Sequence, residues 1–259
     1  MHVTRLGLTP LKGARHTERP SVELTAEGPD GDRVFCLVDP SRGRVVRTVE
    51  APALMTTAVH WDGTTLTARL PGAQSSGVPR PSGQRLRVDY WGRQADLEVV
   101  EGPWADAFSR LLDREVVLAR TCRAGEVVYA GPVSLVTSSS IRRLAEASGH
   151  RVDPAAFRAT VAVDTGPAAP HVEDGWTGRR LRLGEAEVEV RGPLPRCAVV
   201  DRDPVSGERA AGLLACLGGY RRVAGEILFG VHAVVTRPGR VVAGDPVAVR
   251  EVRLPLGRG

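Results

Sequence analysis

The residue best suited to metal chemistry is Cys197, which lies directly after Arg196 and follows two prolines, Pro193 and Pro195. We expect a strand to begin here, where a side chain can face a cleft. A neighbouring guanidinium favours the thiolate, which is the form of cysteine that binds a soft metal. The pattern therefore predicts a metal-binding or reactive thiol at Cys197.

The other three cysteines give weaker signals. Cys36 lies in the apolar run RVFCLVD, which suits a strand buried on both faces, and Cys216 lies in a predicted helix, so both are expected to be structural. A functional role for Cys122 stays open. The cysteines lie far apart and no CxxC spacing occurs, so neither a zinc site nor an iron–sulfur cluster is predicted. In a reducing compartment they are expected to be single thiols.

A second candidate is Lys12 in the segment TPLKGARH (9–16), because it is the only lysine among 35 basic residues. The chain also has no asparagine and only two isoleucines. Lysine, asparagine and isoleucine all use A/T-rich codons, so a GC-rich genome explains the arginine excess. Under that bias a retained lysine favours a function for its compact ammonium, such as binding a phosphate. Both interpretations stay open.

Two further positions carry polar side chains of interest. Asp203, in the segment DRDPVSG, is expected mainly to form a turn, but it could also lie near a substrate and move protons. Thr137 and the serines at 138, 139 and 140 open a predicted helix, whose free N–H groups suit an anion. Plain helix capping is the alternative. The six histidines show no metal-ligand spacing.

Bulk composition narrows the class of protein. The 259 residues carry a net charge of +5 with a pI near 9.5, but the basic residues are interleaved with 30 acidic ones. Without a basic helix or zinc-finger spacing, we expect no nucleic-acid partner. The first residues lack an apolar core of signal-peptide length, and no apolar run reaches about 18 residues. We therefore expect a cytoplasmic protein with no membrane partner.

The elements that must position these residues are mostly strands. An Asp-Gly pair between TTAVHW and TLTARL predicts a type I′ hairpin, and RLRVDYWGRQADLEVV predicts another strand pair around Gly92. RCAVVD is a predicted strand, and FGVHAVVTRPGRVV is a predicted strand pair joined by a Pro-Gly turn. Helices are predicted at 102–114, at 138–149 with a serine cap, and near 207–220. The segment 72–83, rich in Pro, Gly and Ser, is expected to be a flexible loop. Strands without a βαβ rhythm predict a mainly β (α+β) fold, a β-barrel with a few decorating helices.

Four segments resemble a known family. LPRCAVVDRDPVSGER (194–209) and FGVHAVVTRPGRVVAGDPV (229–247) are similar to the MOSC domain, named for the C-terminal part of molybdenum-cofactor sulfurase. RLGLTPLKGA (5–14) and GDRVFCLVDPSRGRVVRT (31–48) resemble the β-barrel domain that precedes it. The layout is closest to the mitochondrial amidoxime-reducing component group and its bacterial relatives. The resemblance implies an N-terminal barrel domain at 1–100 and a MOSC domain at 101–259.

The resemblance also implies a cofactor site. In that group a molybdenum cofactor lies between the two domains and a cysteine thiolate, matching Cys197, ligates the metal. It further implies cofactor contacts from a set of residues that matches the family's motifs: Lys12, Arg33, Thr137, Ser138, Ser139, Ser140, Arg158, Thr160 and Arg196. Arg33 could instead simply pair with Asp32.

This sequence departs from the family pattern at three positions. The usual Pro-Val-Lys-Ser ends here in Gly13, and the usual Phe-Arg-Pro-Asn has Ala159 and Thr160 in its last two positions. The departure at Gly13 removes a serine hydroxyl that could donate to an anion. Thr160 is the nearest hydrogen-bonding substitute in a chain without asparagine.

The leading hypothesis is therefore an enzyme that reduces N-oxygenated small molecules on a molybdenum cofactor. With no flavin or iron–sulfur motif, electrons are expected from a separate ferredoxin- or flavin-type reductase, and a monomer is expected. A second hypothesis is a sulfurtransferase with a Cys197 persulfide, suited to specialised biosynthesis. A third is a non-catalytic carrier of the cofactor, and the last a plain interaction module.

Overall fold

Short apolar stretches bounded by glycine and proline make most of the chain β-structure. The computed structural model describes residues 1–210 and 212–250. Strands of the first half are β1 (His2–Leu8), β2 (Thr17–Arg19), β3 (Ser21–Thr25), β4 (Gly28–Pro29), β5 (Phe35–Asp39), β6 (Arg44–Val45), β7 (Ala58–Trp61), β8 (Leu66–Leu70), β9 (Ala73–Gly77), β10 (Arg80–Tyr90), β11 (Arg93–Glu101) and β12 (Val117–Thr121). Strands of the second half are β13 (Val133–Thr137), β14 (Val161–Asp164), β15 (Arg180–Leu183), β16 (Ala186–Pro195), β17 (Arg222–Val223), β18 (Glu226–Arg237), β19 (Gly239–Val242) and β20 (Val247–Arg250).

Helices are few and short. The α-helices of the described residues are α1 (Trp104–Leu112), α2 (Ser138–Ser148) and α3 (Leu213–Gly218). Short 3₁₀ helices lie at Pro52–Thr56, Pro154–Phe157, Val172–Trp176 and Ala198–Asp201. The helix predicted at 102–114 begins after Pro103 and ends at Asp113, whose backbone is left-handed. Helix α2 ends at Gly149 as predicted, but Thr137 rather than a serine accepts the capping N–H.

Two large β-assemblies organise these strands. In the first half β10, β11, β12, β5 and β6 close into a barrel. The other strands of the second half except β19 join β1 and β2 in one nine-stranded sheet. Its order is β2-β1-β14-β13-β18-β16-β15-β20, with β17 beside β18. Each assembly has its own buried apolar cluster, built mainly from valine and leucine because aromatic residues are scarce. The predicted mainly β (α+β) fold with a barrel-like first half is confirmed.

Strands from the start of the chain pair with strands of the second half. Strand β1 pairs antiparallel with β14, and β3 pairs antiparallel with β19, so the first 25 residues complete sheets of the second half. The division into domains 1–100 and 101–259 stays a prediction. What this pairing does provide is a direct hydrogen-bonded link between the start of the chain and the strands around the predicted cysteine.

Several local predictions were wrong. The segment 72–83 forms β9 and the start of β10 rather than a flexible loop, because pairing with β8 and β11 outweighs its composition. The β7–β8 hairpin exists, but its loop runs from Asp62 to Thr65, which is too long for a type I′ turn.

Two further predictions fail around the end of the chain. RCAVVD is a 3₁₀ helix rather than a strand, since the ladder of β16 ends with the bond from the Arg196 N–H to the Ile227 oxygen (2.8 Å). Strands β18 and β19 follow each other but do not pair, because β16 and β13 occupy both edges of β18. Pro238, which lacks an N–H, separates them and lets β19 turn away to β3.

Candidate functional site

The segment Thr9–His16 connects the two β-assemblies. It leaves the nine-stranded sheet at the end of β1 and returns to it in β2. Between them it contacts the barrel, because Leu11 bridges to Phe35 and the Lys12 N–H donates to the Phe35 oxygen at 2.8 Å. The only lysine of the chain is therefore held between the barrel and the sheet by backbone hydrogen bonds.

Gly13 has a steric reason to be glycine. Its φ of +91° lies in the left-handed region, and a Cβ there would lie 2.9 Å from Leu54 Cδ1 and 3.3 Å from Thr48 Oγ1. A serine, which the resemblance led us to expect, would be strained in this backbone conformation and crowded by Leu54. The missing hydroxyl is thus explained by the path of the chain.

Cys197 sits at the junction between β16 and the following 3₁₀ helix. The prediction that it begins a strand was wrong, but the residue is exposed and lines a cavity. Pro195 pairs with Leu228 and Arg196 bonds to Ile227, so β16 is anchored up to the residue before the cysteine. The thiol is therefore accessible, while its backbone is fixed.

The Arg196 guanidinium is tied to two backbone oxygens. Its Nε donates to the oxygen of Phe229 at 2.8 Å and its Nη1 to that of Phe157 at 2.9 Å. Its Nη2 is buried and lacks a hydrogen-bond partner among the described residues. Burial lowers the pKa of Arg196 to about 10, with nearby Arg33 adding to the effect and Cys197 and Glu173 opposing it.

Arg158 is held in a similar way from the other side. Its Nη2 donates to Thr9 Oγ1 at 3.1 Å and to the Ala14 oxygen at 2.6 Å, which fastens the Thr9–His16 segment to the second half. Its Nη1 is buried and has no partner within the described part of the chain. Burial lowers the pKa of Arg158 to about 9, and Arg33 lowers it further.

Lys12 has the most perturbed ammonium. Its Nζ lies 4.8 Å from the centre of the Tyr90 ring, a cation–π contact. Burial, together with a smaller effect of the charges of Arg33 and Arg158, lowers the pKa of Lys12 to about 7. No carboxylate of residues 1–210 or 212–250 pairs with this ammonium. A bound anion would raise the pKa of Lys12, so we expect the side chain to take up a proton when an anion binds.

These groups meet in one cavity of about 440 Å³ between the barrel and the nine-stranded sheet. Its lining includes the predicted residues Lys12, Arg33, Arg158, Arg196 and Cys197. Arg33 forms an ion pair with Asp32, as the simpler alternative predicted, and still lines the cavity. Together with Arg47 and Arg222 the lining carries six cations against one described carboxylate, Glu226. The cavity is therefore suited to an anion.

The serine cluster lies elsewhere. Thr137 Oγ1 donates to Glu173 Oε2 at 2.7 Å, and the Ser140 hydroxyl contacts both carboxylate oxygens of Glu173 at 2.7 and 2.8 Å. Glu173 is fully buried, and this burial raises its pKa. The N-terminus of α2 thus faces a carboxylate of the chain itself, and neither Thr137 nor Ser140 is among the cavity-lining residues.

The remaining members of the set are also outside the lining. Ser138 Oγ donates to Asp164 at 2.7 Å, and Thr165 donates to Ser139 at 3.0 Å. Thr160 Oγ1 accepts the N–H of Ser134, which does line the cavity, at 3.2 Å. Thr160 can therefore act on the site only through Ser134.

Asp203 forms the predicted turn. Its Oδ1 accepts the N–H groups of Val205 at 2.9 Å and Ser206 at 2.7 Å, and these bonds lower the pKa of its carboxyl. It is not among the residues that line the cavity. The structure thus supports the turn role of Asp203, and a role in proton transfer stays a prediction.

Sequence reasoning missed the aromatic part of the cavity. Tyr90, Trp91 and Tyr129 line it together with Arg47 and Arg222. The signal available was Tyr90-Trp91 directly before Gly92 at a predicted hairpin tip, where a large exposed aromatic is unusual. Within the described residues there is no group of three or more His, Cys, Asp or Glu side chains that could hold a metal ion, and no helix long and apolar enough to span a membrane.

Two family models match the chain. The model of the MOSC N-terminal beta barrel domain matches residues 1–115, and that of the MOSC domain matches residues 120–248. Together they cover every cavity residue named above and all but the ends of β12 and β20 in the two β-assemblies.

The similar curated proteins are molybdenum cofactor sulfurases. That of Caenorhabditis elegans is 26% identical over 242 residues, covering 89% of this chain and 33% of that protein. That of Aspergillus terreus is 31% identical over 131 residues, 46% of this chain and 16% of that protein. That of Solanum lycopersicum is 33% identical over 103 residues, 39% of this chain and 12% of that protein. The chain thus spans a third or less of the length of these relatives.

Two solved structures are more distant. The YuaD protein from Bacillus subtilis has a TM-score of 0.48 and 14% identity, covering 97% of this chain and 96% of that one. YiiM from Geobacillus stearothermophilus has a TM-score of 0.35 and 15% identity, covering 49% of this chain and 57% of that one. At this distance neither bears on the site.

Proposed function

The chain belongs to the MOSC-domain proteins that carry an N-terminal MOSC β-barrel domain, and on that premise we propose that it holds the molybdenum cofactor in the cavity beside Cys197. The family ties the protein to molybdenum-cofactor biology. The finer proposal is a molybdenum-dependent oxidoreductase that reduces N-oxygenated small molecules. Its electrons come from a separate ferredoxin- or flavin-type reductase, and the protein acts as a cytoplasmic monomer.

The residues present fit such a group. A pterin cofactor with a phosphate is an anion, and a buried anion requires fixed cations and N–H donors. The cavity supplies both, since Arg158 Nη1 and Arg196 Nη2 are buried without partners among the described residues. These unpartnered guanidinium nitrogens beside an exposed thiol are the observation that carries the proposal.

Each candidate residue has a distinct task. Arg158 and Arg196 are held by backbone oxygens, so their free nitrogens are oriented in advance and lose little entropy on binding. Lys12, whose pKa is lowered to about 7, takes up a proton at Nζ when a phosphate approaches. The binding site therefore combines two groups that are charged at neutral pH with one whose charge responds to the ligand.

Cys197 is the candidate metal ligand. Its sulfur is exposed to the cavity while β16 fixes its backbone, which suits a soft ligand that must not move. When bound, the cofactor supplies a molybdenum centre able to exchange two electrons and an oxygen atom with a substrate. Overall the substrate loses oxygen as water, which consumes two electrons and two protons.

The test is elemental analysis and pterin fluorescence on the purified chain. We expect molybdenum near one per chain and a pterin signal, with the metal lost in Cys197→Ser. Cys122→Ser is the matched control, because Cys122 is equally a free, exposed cysteine but does not line this cavity. A molybdenum-free wild type, or Cys197→Ser with a full complement of metal, would contradict the proposal.

A second candidate function is sulfur transfer, favoured by the naming of the similar proteins as molybdenum cofactor sulfurases. Here Cys197 carries a persulfide. An acceptor nucleophile attacks the outer sulfur, the S–S bond breaks, and the Cys197 thiolate leaves with the electron pair. A labile sulfane sulfur on Cys197 without molybdenum supports this function. Cofactor binding without turnover with any donor supports the third candidate, a non-catalytic carrier.

A further inference from the structure

The rim of the cavity carries two exposed aromatic side chains. Trp91 is 43% and Tyr129 51% exposed, and their ring centres lie 6.5 Å apart in an edge-to-face arrangement. Both line the same cavity as Cys197. Large apolar side chains are rarely left exposed together beside a polar cavity without a ligand to cover them.

The backbone around this pair is strained. Trp91 has a φ of +56°, and Ala130, next to Tyr129, has a φ of +63°. A left-handed backbone is unfavourable for residues with a Cβ, and especially for a bulky aromatic residue. Glycine or asparagine would fit this position of a hairpin tip with less strain. Such strain concentrates at functional sites, where the position of a side chain matters more than its local stability.

Trp91 is oriented by contacts on one face. The Arg47 guanidinium lies 4.3 Å from the ring centre, and Asp89 on the same hairpin holds Arg47 through a 3.4 Å ion pair. The tryptophan is therefore positioned before any ligand binds, which reduces the entropy lost on binding. Its other contacts leave 43% of the residue open to solvent.

The same contacts decide the charge of the ligand. A cation of the chain already contacts each of two rings of this region, and a second positive charge at the same ring is repelled by the first. Arg47 lies on one face of Trp91, and both Lys12 and Arg93 lie within 5.0 Å of the Tyr90 ring centre. The cationic excess of the lining repels a further positive charge. The aromatic rim is therefore unsuited to cations.

The β17–β18 hairpin forms another part of the cavity lining. Arg222, Gly225, Glu226 and Ile227 line the cavity there. Arg222 makes a single long bond of 3.4 Å, to the Gly225 oxygen, among the described hydrogen bonds. Its guanidinium is thus available to a negatively charged group on a ligand lying against the two aromatic rings.

We propose that Trp91 and Tyr129 form a subsite for planar aromatic ligands, neutral or anionic, at the mouth of the cavity. The inference that the ligand carries an N-oxygenated group rests on the proposed function, whereas the inference that it is planar and aromatic rests only on Trp91 and Tyr129. The substrate class becomes aromatic N-oxygenated compounds without positive charge, with the ring against Trp91 and Tyr129 and the reacting group deeper in the cavity.

The test is equilibrium binding, by calorimetry, to the full chain as purified. Pyridine N-oxide is the planar probe, N-methylmorpholine N-oxide the saturated one, nicotinic acid N-oxide the anionic one and N-methylpyridinium the cationic one. We expect both planar N-oxides to bind about three- to tenfold more tightly than the saturated ring, as aromatic pairing implies. N-methylpyridinium is expected to bind more weakly than pyridine N-oxide.

Trp91→Gly is the decisive variant. Glycine adopts the observed backbone angle without strain, so the variant is expected to fold at least as well as wild type. It should lose the preference for planar probes, whereas Trp91→Phe should keep most of it. Equal binding of planar and saturated probes, no binding of any probe, or a preference that survives in Trp91→Gly would overturn the subsite.

Molybdenum is measured on the same samples to separate the two proposals. A preparation without molybdenum that still prefers planar probes upholds the subsite and counts against the proposed function. A preparation with full molybdenum and no such preference does the reverse.

Discussion

Arg196 Nη1 donates a 2.9 Å hydrogen bond to the backbone oxygen of Phe157, the residue directly before Arg158. The bond joins the strand that leads to Cys197 to the turn that carries the second buried arginine. Since Arg158 in turn bonds to Ala14, the positions of Cys197 and of the Lys12 segment are coupled through two guanidinium groups. A substitution of Arg158 or Arg196 should therefore shift residues on both sides of the cavity.

Lys12→Arg should weaken cofactor retention and leave the fold intact. The ammonium occupies a crowded place 4.8 Å above the Tyr90 ring, where a broad guanidinium must displace its neighbours. We expect a severalfold lower molybdenum and pterin content at an unchanged circular dichroism spectrum. A variant that purifies with the full wild-type complement would favour codon drift as the reason for the lone lysine.

Anion binding should be accompanied by proton uptake at Lys12. With a pKa of about 7 the side chain is mostly neutral at pH 8, and a bound anion raises that pKa. Titration with inorganic sulfate, which carries no titratable proton at pH 8, in two buffers of different ionisation enthalpy should report about one proton taken up per anion bound. Lys12→Met should show none. Identical apparent enthalpies in both buffers for the wild type would rule this linkage out.

The same lysine should make the anion-free chain more stable as pH rises from 7 to 9. The pKa of Lys12 is about 7 in the folded chain and 10.5 in the unfolded one, so the unfolded state binds more protons in this window. Arg158 and Arg196, with pKa values of about 9 and 10, contribute mainly above it. Thermal melting of Lys12→Met should lose most of this pH dependence, and an unchanged slope would contradict the assignment.

Ser140→Ala should lower stability without reducing cofactor content. Its hydroxyl contacts both oxygens of the buried Glu173, and an unsatisfied buried group costs about 1–3 kcal/mol. For a chain of this size we expect the melting temperature to fall by about 3–10 °C. Molybdenum content per folded chain should match wild type, in contrast to Arg158→Leu. A selective loss of cofactor in Ser140→Ala would restore the role that the family resemblance implies for α2.

His171→Asn should flatten the acid limb of the stability profile. Burial lowers the pKa of His171 from 6.5 to about 4 in the folded chain. Between pH 6.5 and 4 the side chain is therefore protonated in the unfolded state and mostly neutral in the folded state. Stability is therefore lost as pH falls through this window. Asparagine tolerates the φ of +61°, and the gain at pH 5 relative to pH 8 should be about 2–5 °C. His16, whose pKa is also lowered, keeps part of the slope.

Local sequence patterns predicted much of the secondary structure but failed where pairing partners decide. The apolar run 35–39 is a strand buried along its whole length, as predicted, and α2 ends at the predicted glycine. The segment 72–83 has the composition of a loop, yet it pairs with its neighbours on two sides. RCAVVD has the composition of a strand, yet the ladder between β16 and β18 ends at Pro195 and a 3₁₀ helix follows. Whether an edge is available is a property of the assembled sheet.

The sequence by itself determined which side chains could do chemistry: one lysine, one cysteine after an arginine and two prolines, and a mainly β scaffold. It did not determine which of them meet. The tertiary structure brings Lys12, Arg158, Arg196 and Cys197 to one cavity and turns the cluster 137–140 towards Glu173 instead. The physical reason is that local patterns report backbone period and turn chemistry. Contacts across more than 140 residues, such as Arg158 with Thr9 and Ala14, depend on how the barrel packs on the sheet.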